Sequence, residues 1–267
     1  MQMQLPFPLG GPAPDEIPLS RAPLVHVVLQ ARFSSVLKID TREGIVAFQE
    51  NIRADYPLLE QSQVRQFRID MGADAPSVQP TDSNLWRFSN ANKTWLLSLA
   101  SDVITLESRR YDGRTDFLAR WLQALSQVEE CFAPGLAVRL GARYINRMQG
   151  ESLTELGRWV RPNLLGVAQP ELRAHVTEAI SQANLQVAEG ALLLRWGIVP
   201  AGGSIDPAVP ALDNPSWVLD IDVSSTAQRP FSAPDLTDSF RALAGRAYTI
   251  FRYAITDAGL DHFGAVR

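Results

Sequence analysis

Residues 24 to 34, LVHVVLQARFS, alternate: Val25, Val27, Leu29 and Ala31 fall on one side, and Leu24, His26, Val28, Gln30 and Arg32 on the other. A period of two is the signature of an extended strand. The period then changes. In TREGIVAFQENIRADYP, Ile45, Phe48, Ile52 and Tyr56 recur at helical spacing, and Pro57 ends the helix by restricting the residue before it. VRQFRIDM (64 to 71) reads as a strand, and LWRFSNANKTWLLSLASDVITLESRRY (85 to 111) as consecutive strands that turn at SNANK and ASD. The clearest helix is TDFLARWLQALSQVEECF, 115 to 132. Phe117, Trp121, Leu125, Val128 and Phe132 line one stripe, with Leu118 and Leu122 beside it. Each such side chain, fully buried, stabilises by about 1.5–3 kcal/mol, so the stripe calls for a sheet to lie on. LAVRLGARYINRM follows as a strand.

Beyond residue 148 the pattern is looser. ESLTELGRWV and QPELRAHVTEAI predict short helices, and LQVAEGALLLRWGIVP a hairpin turning at Glu189 and Gly190. AGGSIDPAVPALDNPS is a loop by its Gly, Pro and Asp content, and WVLDIDVSS a strand. PDLTDSFRALAGRAYTIFRYAIT predicts a long helix that buries Leu236, Phe240, Leu243, Ala247, Ile250, Phe251 and Ala254, with Ser232 and Asp235 placed as a short capping box. Runs of strands with a few packed helices predict an α+β fold, an antiparallel sheet or sheets covered by long amphipathic helices. The order suggests two similar sheet-plus-helix halves, residues 24–148 and 149–267, although no sequence repeat is visible. Residues 1–23 carry Pro6, Pro8, Pro12, Pro14, Pro18 and Pro23, and read as an extended, solvated arm, or one that docks in a partner's groove.

Composition narrows the function. At 267 residues the chain is one large domain or two closely packed ones. A net charge of −4 gives no general reason to bind a polyanion. The single cysteine, Cys131, excludes a disulfide within the chain and a cysteine-rich zinc site, and its place at a helix end suits a small apolar core residue. The N-terminus lacks a basic start and a long apolar run, and no stretch approaches the roughly 20 apolar residues of a membrane span, so the expectation is a cytoplasmic protein without a membrane partner. No dinucleotide fingerprint, phosphate loop or nucleophile elbow is visible, and His26, His175 and His262 form no metal-spaced set; no cofactor, metal or catalytic residue is assigned. His26 and His175 read as structural, and His262 as part of a solvated tail.

The candidate chemistry lies in arginine. Two lysines, Lys38 and Lys93, stand beside 23 arginines. Codon usage accounts for such a bias, and so does the planar guanidinium fork that pairs two-pronged with carboxylates and phosphates. In LAVRLGARYINRM, Arg139, Gly141, Arg143, Ile145 and Arg147 share one face; in WVLDIDVSS, Asp220 and Asp222 share one. Arg65, Arg68, Asp70, Arg87, Glu107 and Arg195 add to the supply. One reading is cross-strand ion pairs, each worth about 0.2–1 kcal/mol on a partly wet face. Another is a concave, Arg-lined face that receives a phosphate, a nucleic acid or an acidic peptide. A third makes Asp220 and Asp222 ligands of a hard divalent cation in a metal-dependent phosphohydrolase. Trp86 and Phe88, flanking Arg87, suit either the core or a stacking platform for bases.

APLVHVVLQARF and RLGARYINRM together, with WRFSN and LESRRYDGRTDFL between them, resemble a sporadically distributed bacterial family of about this length. The resemblance covers most of the chain and implies a single full-length module. Its RxGxRYINR strand is carried by Arg139, Gly141, Arg143, Tyr144, Ile145, Asn146 and Arg147. It brings no established activity, and its distribution hints at defence or toxin–antitoxin neighbourhoods. The expectation is a non-catalytic binding protein that holds a protein partner or a second copy of itself through Arg139, Arg143, Arg147, Asp220 and Asp222. Nucleic-acid or nucleotide binding through the same face is the first alternative, and the phosphohydrolase the second.

Overall fold

A computed structural model describes residues 7–71 and 76–266, with side chains except at 64–71, 76–82, 151 and 170. The first strand, β1 (Leu24–Phe33), runs through a 3-10 turn (Leu37–Asp40) into α1 (Arg42–Ile52). Thr41 caps α1, its hydroxyl accepting from the Gly44 N–H at 3.0 Å. Gly44 is required there by contact, since a Cβ would fall 1.9 Å from the Lys38 carbonyl oxygen. A long hairpin, β2 (Leu58–Met71) and β3 (Pro76–Ser89), is followed by β4 (Trp95–Ala100), β5 (Val103–Ser108) and α2 (Arg114–Phe132). Then come β6 (Leu136–Met148), the short helices α3 (Glu151–Thr154), α4 (Leu156–Trp159) and α5 (Pro170–Arg173), and the hairpin β7 (Ala179–Val187) and β8 (Gly190–Val199). The chain ends with β9 (Ser216–Ser225), the short β10 (Arg229–Pro230), α6 (Ala233–Ala254) and α7 (Asp257–His262).

All the strands join one sheet in the order β2-β3-β4-β5-β1-β6-β9-β8-β7, with β10 beside β6. Every pairing is antiparallel. The molecule is thus mixed α and β around one large antiparallel sheet, continuous across the expected boundary at residue 148. The alternation read from β1 holds: Val27, Leu29 and Ala31 are buried with Leu97, Leu99, Ile104, Leu106, Leu219, Ile221 and Val223. The stripes of α1, α2 and α6 belong to the same cluster. Phe48 of α1 meets Phe88 of β3 at 5.6 Å between ring centres, Trp95 of β4 meets Phe117 of α2 at 5.2 Å, and Trp121 of α2 meets Phe240 of α6 edge-on at 5.1 Å. Leu122, at the rim of the α2 stripe, stays exposed.

Several local expectations change. The proline-rich arm is held to the body at several points, although residues 11–13, 15, 16, 18 and 20–22 stay exposed. Arg246 of α6, only 2% exposed, donates to the carbonyls of Pro8 (2.6 Å), Gly10 (3.2 Å) and Gly11 (2.7 Å) and grips the Glu189 carboxylate at 2.8 and 3.1 Å. The Ile17 N–H donates to the Tyr248 hydroxyl, and Leu19 bridges to Ala265 near the C-terminus. A proline-rich segment has few donors but keeps all its carbonyls, and a buried guanidinium supplies what they need. Ser232 stands at the α6 N-cap, but its hydroxyl accepts nothing; the Ala233 N–H donates instead to the Glu129 carboxylate of α2 at 2.9 Å. Ala179 and Ile180, expected to end a helix, open β7. His262 is not in a solvated tail: its ring stacks on Trp159 at 4.5 Å, and its Nε2 lies 2.8 Å from Ser152 Oγ. The side chains of Arg65, Arg68 and Asp70 lie outside the described residues. Among the described residues, no helix is long and apolar enough to cross a membrane.

Arg246→Met leaves Glu189 and three carbonyls without their donor. A loss of about 3–5 kcal/mol in urea unfolding is expected, with faster proteolysis within residues 7–22.

Candidate functional site: the guanidinium-lined face of the sheet

The strand residues that alternate with the core cluster form a second, polar face. Its register is set by the pairings of β6. Arg143 stands opposite Val28 on one side and Asp222 on the other, Ile145 opposite His26 and Asp220, and Gly141 opposite Gln30 and Ser224. Asp220 in turn faces Arg195 of β8. The five residues expected to bind a ligand, Arg139, Arg143, Arg147, Asp220 and Asp222, therefore do share one face.

They do not share one role. Asp220 is 1% exposed. Arg143 grips it with Nε on Oδ1 at 2.8 Å and Nη2 on Oδ2 at 3.0 Å, while Arg195 places Nε and Nη2 on Oδ2 at 2.9 and 2.5 Å. The remaining arm of Arg143, Nη1, reaches Asp206 at 2.6 Å. Burial alone would pull the Arg143 pKa down; the bonds and charges of Asp220 and Asp206 raise it instead. Desolvation likewise pushes Asp206 up, but the Ala208 N–H and Arg143 hold it below the ordinary carboxylate range.

Asp206 belongs to the connection between β8 and β9. Arg147 holds the same connection by donating to the Pro210 carbonyl at 2.6 Å, and Arg109 of β5 by donating to the Ala208 carbonyl at 3.0 Å. Val209 of this loop is buried, as are Ile145 and Val218 on the polar face, yet none of the three joins the main core cluster. The loop thus ties down onto the sheet through three arginines, and Arg147 is spent on that tether.

Arg139 and Asp222 are the members left over. Arg139 donates to Gln30 Oε1 at 3.0 Å, and its guanidinium lies so close over Gly141 that a Cβ there would fall 2.9 Å from Nη1. Among the described residues neither Arg139 nor Asp222 makes an ion pair. Burial raises the Asp222 pKa, and the nearby Arg139 and Arg143 only partly offset it.

Beside this network, on the β1, β3 and β5 side, the same face holds a concavity of about 240 Å³ whose lining includes His26, Arg87, Lys93, Glu107 and Arg109. His26 is 4% exposed; its Nε2 is 3.3 Å from Glu107 Oε2, and its buried Nδ1 has no hydrogen-bond partner. His26 read from sequence as structural, and the only hint of this neighbourhood was its place on the non-core side of β1. Asp206 had no signal beyond lying in a Gly/Pro/Asp loop. Trp86 and Phe88 are core residues, Trp86 donating to the Ile39 carbonyl at 2.7 Å, so the stacking platform around Arg87 is not formed. Two guanidiniums at Asp220 repel a divalent cation, and among the described residues no three His, Cys, Asp or Glu side chains gather to hold a metal. No family model and no curated protein matches this chain.

Two outcomes follow. Arg143→Met should cost about 3–5 kcal/mol in chemical denaturation, because the buried Asp220 keeps only one counterion and Asp206 loses its own. Asp222 behaves oppositely. Its folded pKa lies above its unfolded one, so its ionisation lowers stability as pH rises through the carboxylate range. Asp222→Asn should therefore be more stable than the parent at neutral pH, and the gap in thermal midpoint should close as pH falls below that range.

Proposed function

We propose that this is a non-catalytic binding protein that receives an acidic protein partner on the guanidinium-lined face of its sheet. The observation that carries the reading is uneven pairing. Arg143 and Arg195 are consumed by Asp220, and Arg109 and Arg147 tether the β8–β9 connection, whereas Arg87 and Arg139 have no carboxylate partner among the described residues and no such tether. Unpaired guanidiniums held by a rigid sheet are pre-organised donors for carboxylates. We read the strand order as two similar sheet-plus-helix halves meeting at β1 and β6, with the long helices laid over the apolar side and the polar side left to a partner. The acidic total charge of −4 makes a second copy of the chain one candidate partner.

Nucleic acid is the second reading, favoured by the same unpaired arginines. One titration separates the two. An oligoglutamate peptide and a single-stranded oligonucleotide are each added to the parent and to the double variant Arg87→Ala/Arg139→Ala, which leaves the Asp220 clamp untouched. The acidic-partner reading expects the peptide to bind and the variant to bind it about tenfold more weakly, with an unchanged thermal midpoint. Preferential oligonucleotide binding, with log K falling linearly in log salt by about 0.7 per phosphate neutralised, would move the assignment to nucleic acid. Equal binding by parent and variant would remove this face from the function.

A further inference from the structure

On the apolar side of the sheet, residues 16–24 of the arm bridge a cavity of about 280 Å³. Its floor is Tyr144 and Ile221, its wall the small side chains Ala244 and Ala247 of α6, and its far end the start of α2 at Gly113 and Arg114. Ala244 is buried but stands outside the core cluster, so its methyl lines the void without packing into the core. Glu16, Asp112, Arg114 and Asn146 are the polar members of a mostly apolar lining, and a mostly apolar hollow with a few polar groups is the usual form of a small-molecule site.

The charge at that end is poorly served. Arg114 Nη2 lies 2.9 Å from Glu16 Oε1, yet this buried nitrogen makes no hydrogen bond, because the carboxylate stands off its donor direction. The guanidinium also rests over the Tyr248 ring at 5.4 Å. Glu16 is on the arm and its side chain is 42% exposed, so water can take it over. Gly113, at the N-cap of α2, brings no side chain to the first N–H groups of that helix. The phenols of Tyr111 and Tyr144 meet edge-on at 6.2 Å beside this end, and burial raises both pKa values, which keeps them protonated as donors.

We propose that this cavity binds a small monocarboxylic acid with an apolar ring or short chain. The apolar body fills the space beside Ala244 and Ala247, and the carboxylate replaces Glu16 on Arg114 at the start of α2. Arg114 is the one cation among the lining residues, and the Asp112 carboxylate at the same end lies 3.4 Å from Arg110 and is 55% exposed, so the site can match a single negative charge; a phosphate dianion would leave a charge unmatched. The site is independent of the partner face on the other side of the sheet.

Calorimetry on the full chain tests it with 3-phenylpropionate and octanoate, and with their primary amides as neutral counterparts. At least one acid is expected to bind, its amide about tenfold more weakly. Glu16→Gln, which removes the competing carboxylate, should tighten the acid severalfold; Arg114→Gln should weaken it about tenfold; and Ala244→Leu should abolish binding with the thermal midpoint retained. No binding of either acid at millimolar concentration, equal binding of acid and amide, or unchanged affinity in Ala244→Leu would overturn the proposal. Should Ala244→Leu fail to fold, Glu16→Gln decides: tighter binding supports the site, and unchanged or weaker binding overturns it.

Discussion

Asp220 is a charged carboxylate in the middle of a sheet with 1% of its surface exposed, and a charge in that position is tolerable only if it is neutralised and hydrogen-bonded. Arg143 from β6 and Arg195 from β8 do both, one from each strand that flanks β9. A slip of one residue in either pairing would turn an arginine to the apolar side and leave the buried carboxylate with only one counterion. The clamp therefore fixes the register of three strands. It also fixes the long connection between β8 and β9, because the remaining arm of Arg143 holds Asp206. Replacing all three partners together by well-packed hydrophobic side chains of similar volume would serve stability as well or better. What the ionic arrangement adds is specificity of register, together with a face on which the other arginines are held at set positions.

The second buried charge, Arg246, does the corresponding work on the opposite side. It converts a proline-rich arm, whose backbone has few N–H groups to pair with, into an ordered strap by donating to three of its carbonyls while Glu189 neutralises it. The strap then crosses α6 and closes with the C-terminal residues through Leu19 and Ala265. Leu19, which pairs with Ala265, also lines the cavity that holds Arg114. The tight fit is local: a Cβ on Gly245 would come 3.2 Å from the Ala13 methyl, whereas a few residues along the arm the wall of Ala244 and Ala247 leaves space.

How much of this was readable in the residues depends on range. Periodicity is a local property, and the strands at 24–33 and 136–148 and the helices at 114–132 and 233–254 follow it closely. The shared face of Arg139, Arg143 and Arg147 is likewise a consequence of a two-residue repeat. Pairing is not local. That Arg143 meets Asp220 rather than the directly opposite Asp222 depends on how a long side chain leans along the strand, and that Arg195 joins them depends on β8 lying beside β9. The arm failed for the same reason: its prolines describe its stiffness correctly, but the donor that orders it sits at Arg246, more than 200 residues away. Ser232 illustrates the converse, since a suitable local cap is present and a tertiary one, Glu129, is used.

The division of the arginines bears most directly on function. An arginine fully engaged with buried carboxylates is a poor ligand-binding residue, because any ligand must first separate an ion pair inside the protein. Arg143 and Arg195 are of that kind, so the strand RLGARYINRM is structural at its centre. Arg139 differs only in its neighbours. Gly141 lets its guanidinium lie flat along the strand, Gln30 holds it with a neutral acceptor, and the nearby Asp222 is disfavoured in its charged form by burial. A cation positioned by a neutral contact keeps its charge available. The strand thus carries a structural arginine and an available one four residues apart on the same face, and the difference is set by which carboxylate the neighbouring strand brings into reach.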